Sequence, residues 1–150
     1  MKAIMMSIKP KWVKEILNGN KTIEIRKKFP KDYVGWVYIY CTKDKKYANL
    51  INRGGFLTGM VVARFWCDKV EKIRSYLEPE QWYMTSDLGG SGLLQKSCLS
   101  FKELDDYLLS GEGYAIHITK LEIFDRPRTL QPFFDLDRPP QSWCYLDVLL

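Results

Sequence analysis

Histidine is scarce in this 150-residue chain, and long apolar runs are absent. With His117 as the single histidine and no C-x-x-C pair, a zinc site built from cysteine and histidine is not expected. No apolar run approaches the roughly 20 residues that span a bilayer, which argues against a membrane helix. The apolar start, Met1–Met6, is soon broken by Lys9 and Pro10 and is too short for a secretory signal. We therefore expect a cytoplasmic protein.

The cysteines are few and far apart in the sequence: Cys41, Cys67, Cys98 and Cys144. Without a secretory signal, such cysteines are expected to be reduced and mostly buried. A catalytic Cys/His pair stays open, because such pairing depends on spatial proximity. The length and the 46% hydrophobic content fit a single domain over residues 1–150, large enough to fold without a disulfide or a metal.

Positive charge is concentrated at the start of the chain. Residues 1–31 contain nine basic and two acidic side chains, a net charge of +7, whereas the other residues hold 14 basic and 16 acidic side chains. A concentrated basic region attracts polyanions, and nucleic acid is the commonest such partner. A solvated cationic surface without a partner is the alternative interpretation.

Two elements are predicted in the first 19 residues. Ala3–Ile8 is a short apolar run, typical of a buried strand. After Pro10, apolar residues at helical spacing predict a helix of about two turns, which Asn18 and Gly19 end. These apolar residues are Trp12, Val13, Ile16 and Leu17.

Further strands are predicted from aromatic and branched residues, which favour extended structure. They cover Trp36–Thr42, Phe56–Trp66, Tyr114–Phe124 and Gln141–Leu149. His117 is expected to be a half-buried residue of the third of these strands. Together with the short helices, this irregular order predicts an α+β domain: a mixed, closed β-barrel of five to seven strands with two or three short helices.

The connecting segments carry turn and capping signals. Lys43–Gly55 is predicted to be an exposed loop, and Glu78–Tyr83 to open a short helix. Gly89–Gly92 lacks the lysine of a phosphate-binding loop and is expected to be a flexible loop or lid. Ser100 and Glu103 have capping-box spacing, which predicts a helix of about ten residues that ends near Gly111.

The strand Thr22–Lys27 alternates with period two, so Ile23 and Ile25 are expected to be buried. Glu24 and Arg26 then share the opposite face, about 7 Å apart. Arginine offers a planar fork for phosphate or a base edge, and glutamate accepts from an exocyclic amine. The alternative is a surface ion pair worth at most about 1 kcal/mol.

The stretch from Ser7 to Lys28, with the core pattern Gly19-x-Lys21-x-x-Glu24-x-Arg26, resembles the ASCH domain family, whose barrel is similar to the PUA fold. The resemblance implies one ASCH/PUA-like domain with a cleft for RNA or a nucleobase. Some small members look like amidohydrolases of acetylated cytidine that use a lysine, a threonine and a distant glutamate. Here Lys21 matches the lysine, but Glu24 stands at the threonine position, with Thr22 nearby on the same face.

Several residues are candidates for contacts with RNA. Aromatic planes stack on single-stranded bases, and a turn at Pro140 can present a glutamine, a serine and a tryptophan together. The candidate nucleic-acid-binding residues are Lys9, Lys11, Trp12, Lys21, Arg26, Lys27, Gln141, Ser142 and Trp143.

Three functions stay open at this point. The first is binding of RNA or a modified nucleobase. The second is hydrolysis of RNA or nucleosides, in which Lys21 would stabilise negative charge and Glu24 would act as general base. No cofactor is expected, except a divalent metal on Glu24 if the chain is a nuclease. The third is a protein-interaction or small-molecule-sensing module whose basic surface meets an acidic partner.

Overall fold

The computed structural model describes residues 2–44, 58–78, 81–85, 89–109 and 111–147. They form two compact units: unit 1 contains residues 1–18, 35–66 and 119–150, and unit 2 contains residues 19–34 and 67–118. The strands within the described ranges are β1 (Lys2–Ile8), β2 (Ile23–Arg26), β3 (Gly35–Cys41), β4 (Met60–Cys67), β5 (Val70–Glu78), β6 (Gln81–Thr85), β7 (Glu112–His117), β8 (Thr119–Arg128) and β9 (Trp143–Asp147). The helices there are α1 (Pro10–Leu17), α2 (Gly89–Ser97) and α3 (Phe101–Leu108).

Unit 1 is built on a five-stranded sheet with the order β8-β4-β3-β1-β9. β1 lies between β3 and the edge strand β9, parallel to β3 and antiparallel to β9. Ala3 to Ile8 are all buried, which explains why β1 is an uninterrupted apolar run rather than an alternating one. α1 begins at Pro10, a position where the missing N–H costs nothing, and packs against β3. The predicted first strand and first helix are confirmed.

Unit 2 is built on a four-stranded antiparallel sheet with the order β2-β7-β5-β6. Ile23 and Ile25 of β2 are buried, as the alternation predicts. They form one apolar cluster with residues of the sheet and of both helices of this unit: Ile73, Ala115, Leu93, Leu104 and Leu108. This cluster fixes the β2 backbone, and with it the position of the polar side chains that β2 carries.

The helix α2 corrects a prediction, because Gly89–Gly92 opens a helix rather than a loop or lid. Each glycine inside a helix costs about 1 kcal/mol relative to alanine, so local propensity does not explain this helix. Tertiary packing does. Leu93 is fully buried in the unit 2 cluster, and the Thr22 N–H donates to the carbonyl of Lys96 at the helix end (2.8 Å).

The helix α3 has the predicted capping box. Ser100 Oγ accepts from the Glu103 N–H and the Ser100 N–H donates to Glu103 Oε1, both at 3.1 Å. The helix ends at Leu108, earlier than the predicted Gly111, because Leu109 adopts a left-handed backbone conformation (φ 52°). Its N–H donates to the carbonyl of Asp105 and closes the helix.

Two predicted elements near the middle of the chain are wrong. The short helix predicted over Glu78–Tyr83 is not formed, because Glu78 ends β5 and Gln81–Thr85 is strand β6, which pairs with β5. The single long strand predicted over Tyr114–Phe124 is divided at Ile118 between the sheets of the two units. The Ile118 N–H donates to Thr22, whereas the Thr119 hydroxyl donates to Trp66, so hydrogen bonds change partner between adjacent residues.

The mixed α+β class is confirmed, with three helices in the described residues. The described strands number nine rather than five to seven, and they form two sheets, neither of which closes on itself. β5 was missed because its polar and apolar residues do not alternate cleanly. Most of the loop predicted over Lys43–Gly55, and the first residues of the strand predicted from Phe56, lie outside the described residues.

Replacing Leu93 with alanine tests whether burial holds α2 in place. Leu93→Ala should lower the free energy of unfolding by about 2–5 kcal/mol, because it removes buried methyl groups and leaves a cavity. Urea denaturation followed by circular dichroism measures this change. The matched control is Leu109→Ala, since that side chain is 76% exposed and should lower the free energy by less than about 1 kcal/mol. Equal effects in both variants would show that Leu93 does not anchor the helix.

Candidate functional site

The motif begins with a turn that requires glycine. Gly19 has φ +85°, in the left-handed region, directly after Asn18 at the end of α1. No atom lies within 4 Å of where a Cβ would stand, so the backbone conformation and not lack of space favours glycine. The turn leads the chain into β2.

Lys21 is almost fully buried, with 2% of its surface exposed. Its Nζ donates to the carbonyl oxygen of Ser97 at the C-terminus of α2, where a helix offers unsatisfied carbonyls and partial negative charge. Burial lowers the pKa of Lys21 below 10.5, and nearby Glu24 opposes that shift. Lys21 is therefore both a cap for α2 and a cation held in a poorly solvated place.

Glu24 lies on the face of β2 opposite Ile23 and Ile25 and is also buried, with 6% of its surface exposed. Its Oε1 accepts from the Ile25 N–H at 3.0 Å and lies 3.9 Å from Nε of Arg26. Its Oε2 is buried and has no hydrogen-bond partner among the described residues. A buried carboxylate oxygen costs free energy unless a donor satisfies it. Glu24 thus has one acceptor oxygen that the described residues leave unsatisfied.

The charged face of β2 differs from the expectation in one respect. Thr22 is exposed, whereas the side chains of Glu24 and Arg26 keep only 8% and 14% of their exposure. The alternative of a surface ion pair is therefore wrong, since this pair is largely desolvated. Lys21, Glu24 and Arg26 all lie in unit 2, on β2 or just before it, and Glu24 and Arg26 are in ion-pair contact with each other. We call these three residues the motif group.

The remaining candidate residues are divided between the units. In unit 2, Lys27 is exposed and its Nζ lies 5.0 Å from the ring centre of Tyr107. In unit 1, Lys9 and Lys11 are exposed, and Lys11 Nζ lies 4.6 Å from the ring centre of the half-buried Trp12. All three lysines are exposed residues.

The turn after Pro140 belongs to unit 1. Gln141 is exposed, whereas Ser142 and Trp143 are half-buried. Ser7 anchors the turn, because its N–H donates to the Ser142 carbonyl (2.9 Å) and its Oγ to the Pro140 carbonyl (2.7 Å). Gln141 is therefore the most accessible of the three predicted residues.

The structure does not support Cys41 or Cys67 as the nucleophile of a Cys/His pair. All four cysteines are thiols outside any disulfide, and burial raises the pKa of Cys41 to about 12 and that of Cys67 to about 11. Thiols with such pKa values stay protonated at neutral pH and are weak nucleophiles. His117 is half-buried in β7, as predicted, and its Nε2 lies 3.5 Å from Oε2 of Glu71.

Glu71 is a buried charged residue that the sequence analysis missed, with 7% of its surface exposed. It lies opposite Ala115 in the sheet, and Ile73, two residues on, shares its face. A glutamate on the apolar face of a strand breaks the expected alternation, so the period-two pattern provided no signal for it.

In the part of the chain that the structure describes, no three histidine, cysteine or acidic side chains are grouped as metal ligands. The divalent metal expected for a nuclease therefore stays a prediction. Within the same residues, no helix is long and apolar enough to cross a membrane.

The lowered pKa of Lys21 predicts a pH dependence of stability. Between the pKa of the folded protein and about 10.5, the unfolded chain binds more protons than the folded one, so stability rises with pH. The wild type should therefore gain stability relative to Lys21→Met as pH rises from neutral to about 10.5. Urea denaturation of both proteins at several pH values measures this difference, and a difference independent of pH would contradict the burial of a charged Lys21.

Comparison with known proteins agrees with this architecture. The ASCH domain matches residues 6–107. The solved structure of an ASCH protein from Zymomonas mobilis has a TM-score of 0.68 at 18% identity and covers 97% of this chain and 87% of that one. The structure of its serine-to-alanine variant has a TM-score of 0.67 at 18% identity and covers 97% of this chain and 88% of that one. The structure of its tyrosine-to-phenylalanine variant has a TM-score of 0.67 at 18% identity and covers 98% of this chain and 91% of that one. No curated protein matches. Because the domain match spans more than half of the chain, this protein belongs to the ASCH domain family.

Proposed function

We propose that this chain binds single-stranded RNA and that the motif group recognises a nucleobase, natural or modified. The observation that carries the proposal is the buried Oε2 of Glu24, which has no hydrogen-bond partner among the described residues. A carboxylate in this state is a strong acceptor for the exocyclic amine of cytosine or adenine. The ASCH family and its PUA-like fold are consistent with an RNA partner.

The motif group supplies complementary chemistry around that acceptor. Arg26, at 3.9 Å from Glu24, carries planar N–H donors suited to a phosphate or a base edge. Lys21 adds a cationic side chain nearby, and the charge of Glu24 acts against the fall in the Lys21 pKa. Burial removes the hydrogen bonds that the Glu24 carboxylate would make with water. A base that donates to Glu24 takes their place.

Exposed lysines supply the affinity for the RNA backbone. Lys9, Lys11 and Lys27 are exposed residues of the basic N-terminal region. Each phosphate that such a side chain neutralises releases counterions, so binding weakens as salt is added. Stacking and polar contacts are proposed to come from Trp12, Gln141, Ser142 and Trp143.

We also propose that residues 1–150 act as one cytoplasmic ASCH/PUA-like domain.

Base preference tests the role of Glu24. The wild type should bind an oligomer of cytosine more tightly than one of uracil, because only cytosine offers an amine to the carboxylate. Glu24→Gln should bring the ratio of the two dissociation constants close to one, since an amide both accepts and donates. Fluorescence anisotropy of labelled ten-nucleotide oligomers measures both constants.

The matched control is Glu112→Gln, which changes an exposed glutamate of β7 that pairs with Lys72. It should leave the cytosine-to-uracil ratio unchanged. Replacing Lys9 and Lys11 with alanine should instead reduce the slope of log affinity against log salt concentration by about 0.7 to 1 for each phosphate that is no longer neutralised. Lys102→Ala, which removes a lysine paired with Asp106, should leave that slope unchanged. Absence of RNA binding at low salt would overturn the proposal and favour the protein-interaction module.

Hydrolysis is a second candidate function, and the burial of Lys21 favours it. A lysine with a lowered pKa beside a buried carboxylate is a pattern found in active sites. Lys21 would stabilise developing negative charge, and Glu24 would accept a proton. Thr22 is exposed next to the motif group and supplies a hydroxyl.

Turnover separates this candidate from binding alone. A hydrolase should release acetate from acetylated cytidine or shorten an RNA oligomer, with or without magnesium or manganese. Lys21→Ala and Glu24→Gln should each abolish that product, whereas Glu112→Gln should not. Product formation that survives both motif variants would show that the activity lies outside the motif group.

A further inference from the structure

A second surface with binding chemistry lies in unit 1, along β8 and the turn that follows it. Two open cavities, of about 680 Å³ and 440 Å³, both include Arg128 and Phe133 in their walls. The first runs along β8 from Glu122 to Arg128, an edge strand of the five-stranded sheet. Cavities of this size are typical of small-ligand sites. We call this surface the β8 surface.

The guanidinium of Arg128 lies near two aromatic rings. Its Cζ lies 4.5 Å from the ring centre of Phe124 and 5.8 Å from that of Phe133. Neither Arg128 nor the nearby Arg126 has an acidic partner among the described residues. A guanidinium oriented by aromatic contacts gives up little freedom when it binds a planar or tetrahedral anion.

The acidic side chains near Arg128 mostly have partners already. Glu122 Oε2 lies 2.7 Å from Arg64 Nε, and Asp147 Oδ1 lies 3.9 Å from Lys2 Nζ. Asp135 Oδ1 accepts from the Gln131 amide at 3.3 Å. Asp125, which is exposed, has no such partner in the described part of the chain, and two arginines line the same cavity. Arg64 and Lys2 offset Glu122 and Asp147, which leaves Asp125 and Asp135 against Arg126 and Arg128, so the charges around the two cavities balance. Arg128 nevertheless has no carboxylate in ion-pair contact among the residues that the structure describes and can accept an anion.

Phe133 supplies an exposed aromatic face beside that charge. The residue is 61% exposed, although its neighbour Phe134 packs inward with its ring centre 5.2 Å from that of Tyr38. The Phe134 N–H also donates to the carbonyl of Leu130 at 2.9 Å. Because Phe134 anchors the turn, Phe133 is held outward by the backbone rather than left loose.

We propose that the β8 surface is a second RNA contact, in which Arg128 binds a backbone phosphate and Phe133 stacks on the adjacent base. This inference rests on the proposed RNA-binding function and adds a site outside the motif group. A nucleotide joins a phosphate to a planar base, which matches an unpaired guanidinium next to an exposed ring. An acidic peptide would use Arg128 but would leave Phe133 without a stacking partner.

The test measures binding of a labelled ten-nucleotide single-stranded RNA at several salt concentrations. Arg128→Gln should reduce the slope of log affinity against log salt concentration by about 0.7 to 1, the value for one neutralised phosphate. Phe133→Leu should weaken binding about fivefold or more without changing that dependence, because it removes stacking and keeps the apolar character. Phe133→Trp should retain the wild-type affinity.

The matched control is Arg138→Gln, which removes an exposed arginine that lines neither cavity. If Arg128→Gln and Phe133→Leu behave like this control while Glu24→Gln abolishes base preference, the β8 surface does not bind RNA and the proposed function stands. If only the β8 variants weaken binding, the inference holds and the role of the motif group fails. No RNA binding by the wild type overturns both.

A second probe separates RNA from an acidic partner. A labelled peptide of ten glutamates should bind more weakly than the RNA and should not respond to Phe133→Leu. If Arg128→Gln weakens binding of the peptide but not of the RNA, the β8 surface serves an acidic protein segment and the inference is overturned.

Discussion

The contact between the ammonium of Lys21 and the C-terminal carbonyl of α2 is the interaction on which unit 2 depends. Removing an ammonium from water costs several kcal/mol, so it persists only where strong partners offset that cost. Here the partners are the Ser97 carbonyl, the partial negative charge of a helix C-terminus, and Glu24. The same contact helps a glycine-rich segment of low helix propensity to fold as α2.

This arrangement gives the motif group two roles at once. The alternating strand buries Ile23 and Ile25 on one face, which fixes the backbone, and places Glu24 on the other. Glu24 is desolvated and only partly hydrogen-bonded, which lowers the stability of the folded protein. The same unsatisfied oxygen is what a ligand could bind. Proteins often keep such unsatisfied groups at the sites where they bind ligands or react. Stabilising interactions elsewhere in the fold offset the free energy that the unsatisfied group costs.

Local patterns in the sequence were sufficient for part of this structure. Alternation at Ile23 and Ile25, the proline-started helix α1 and the Ser100 capping box each depend on neighbouring residues, and each was predicted correctly. The helix at Gly89 and the division of the chain at Ile118 depend on partners far away in sequence, so no local pattern indicates them.

The candidate site divides in the same way. The spacing of Glu24 and Arg26 indicated that they share a face, because a strand has a fixed period. Their burial could not be predicted, since it depends on packing that the β2 sequence does not encode. Glu71 on the apolar face of β5 and the exposed Phe133 beside Arg128 were missed for the same reason.

The central claim is that a nucleobase reaches the buried carboxylate of Glu24. The Ile25 amide reports on this directly, because it donates to Oε1 of that carboxylate at 3.0 Å. An NMR titration of ¹⁵N-labelled protein with a cytosine oligomer should shift the Ile25 amide signal in a saturable way, and much less so in Glu24→Gln. An Ile25 signal that does not move at saturating RNA, while signals from exposed lysines do, would contradict the account.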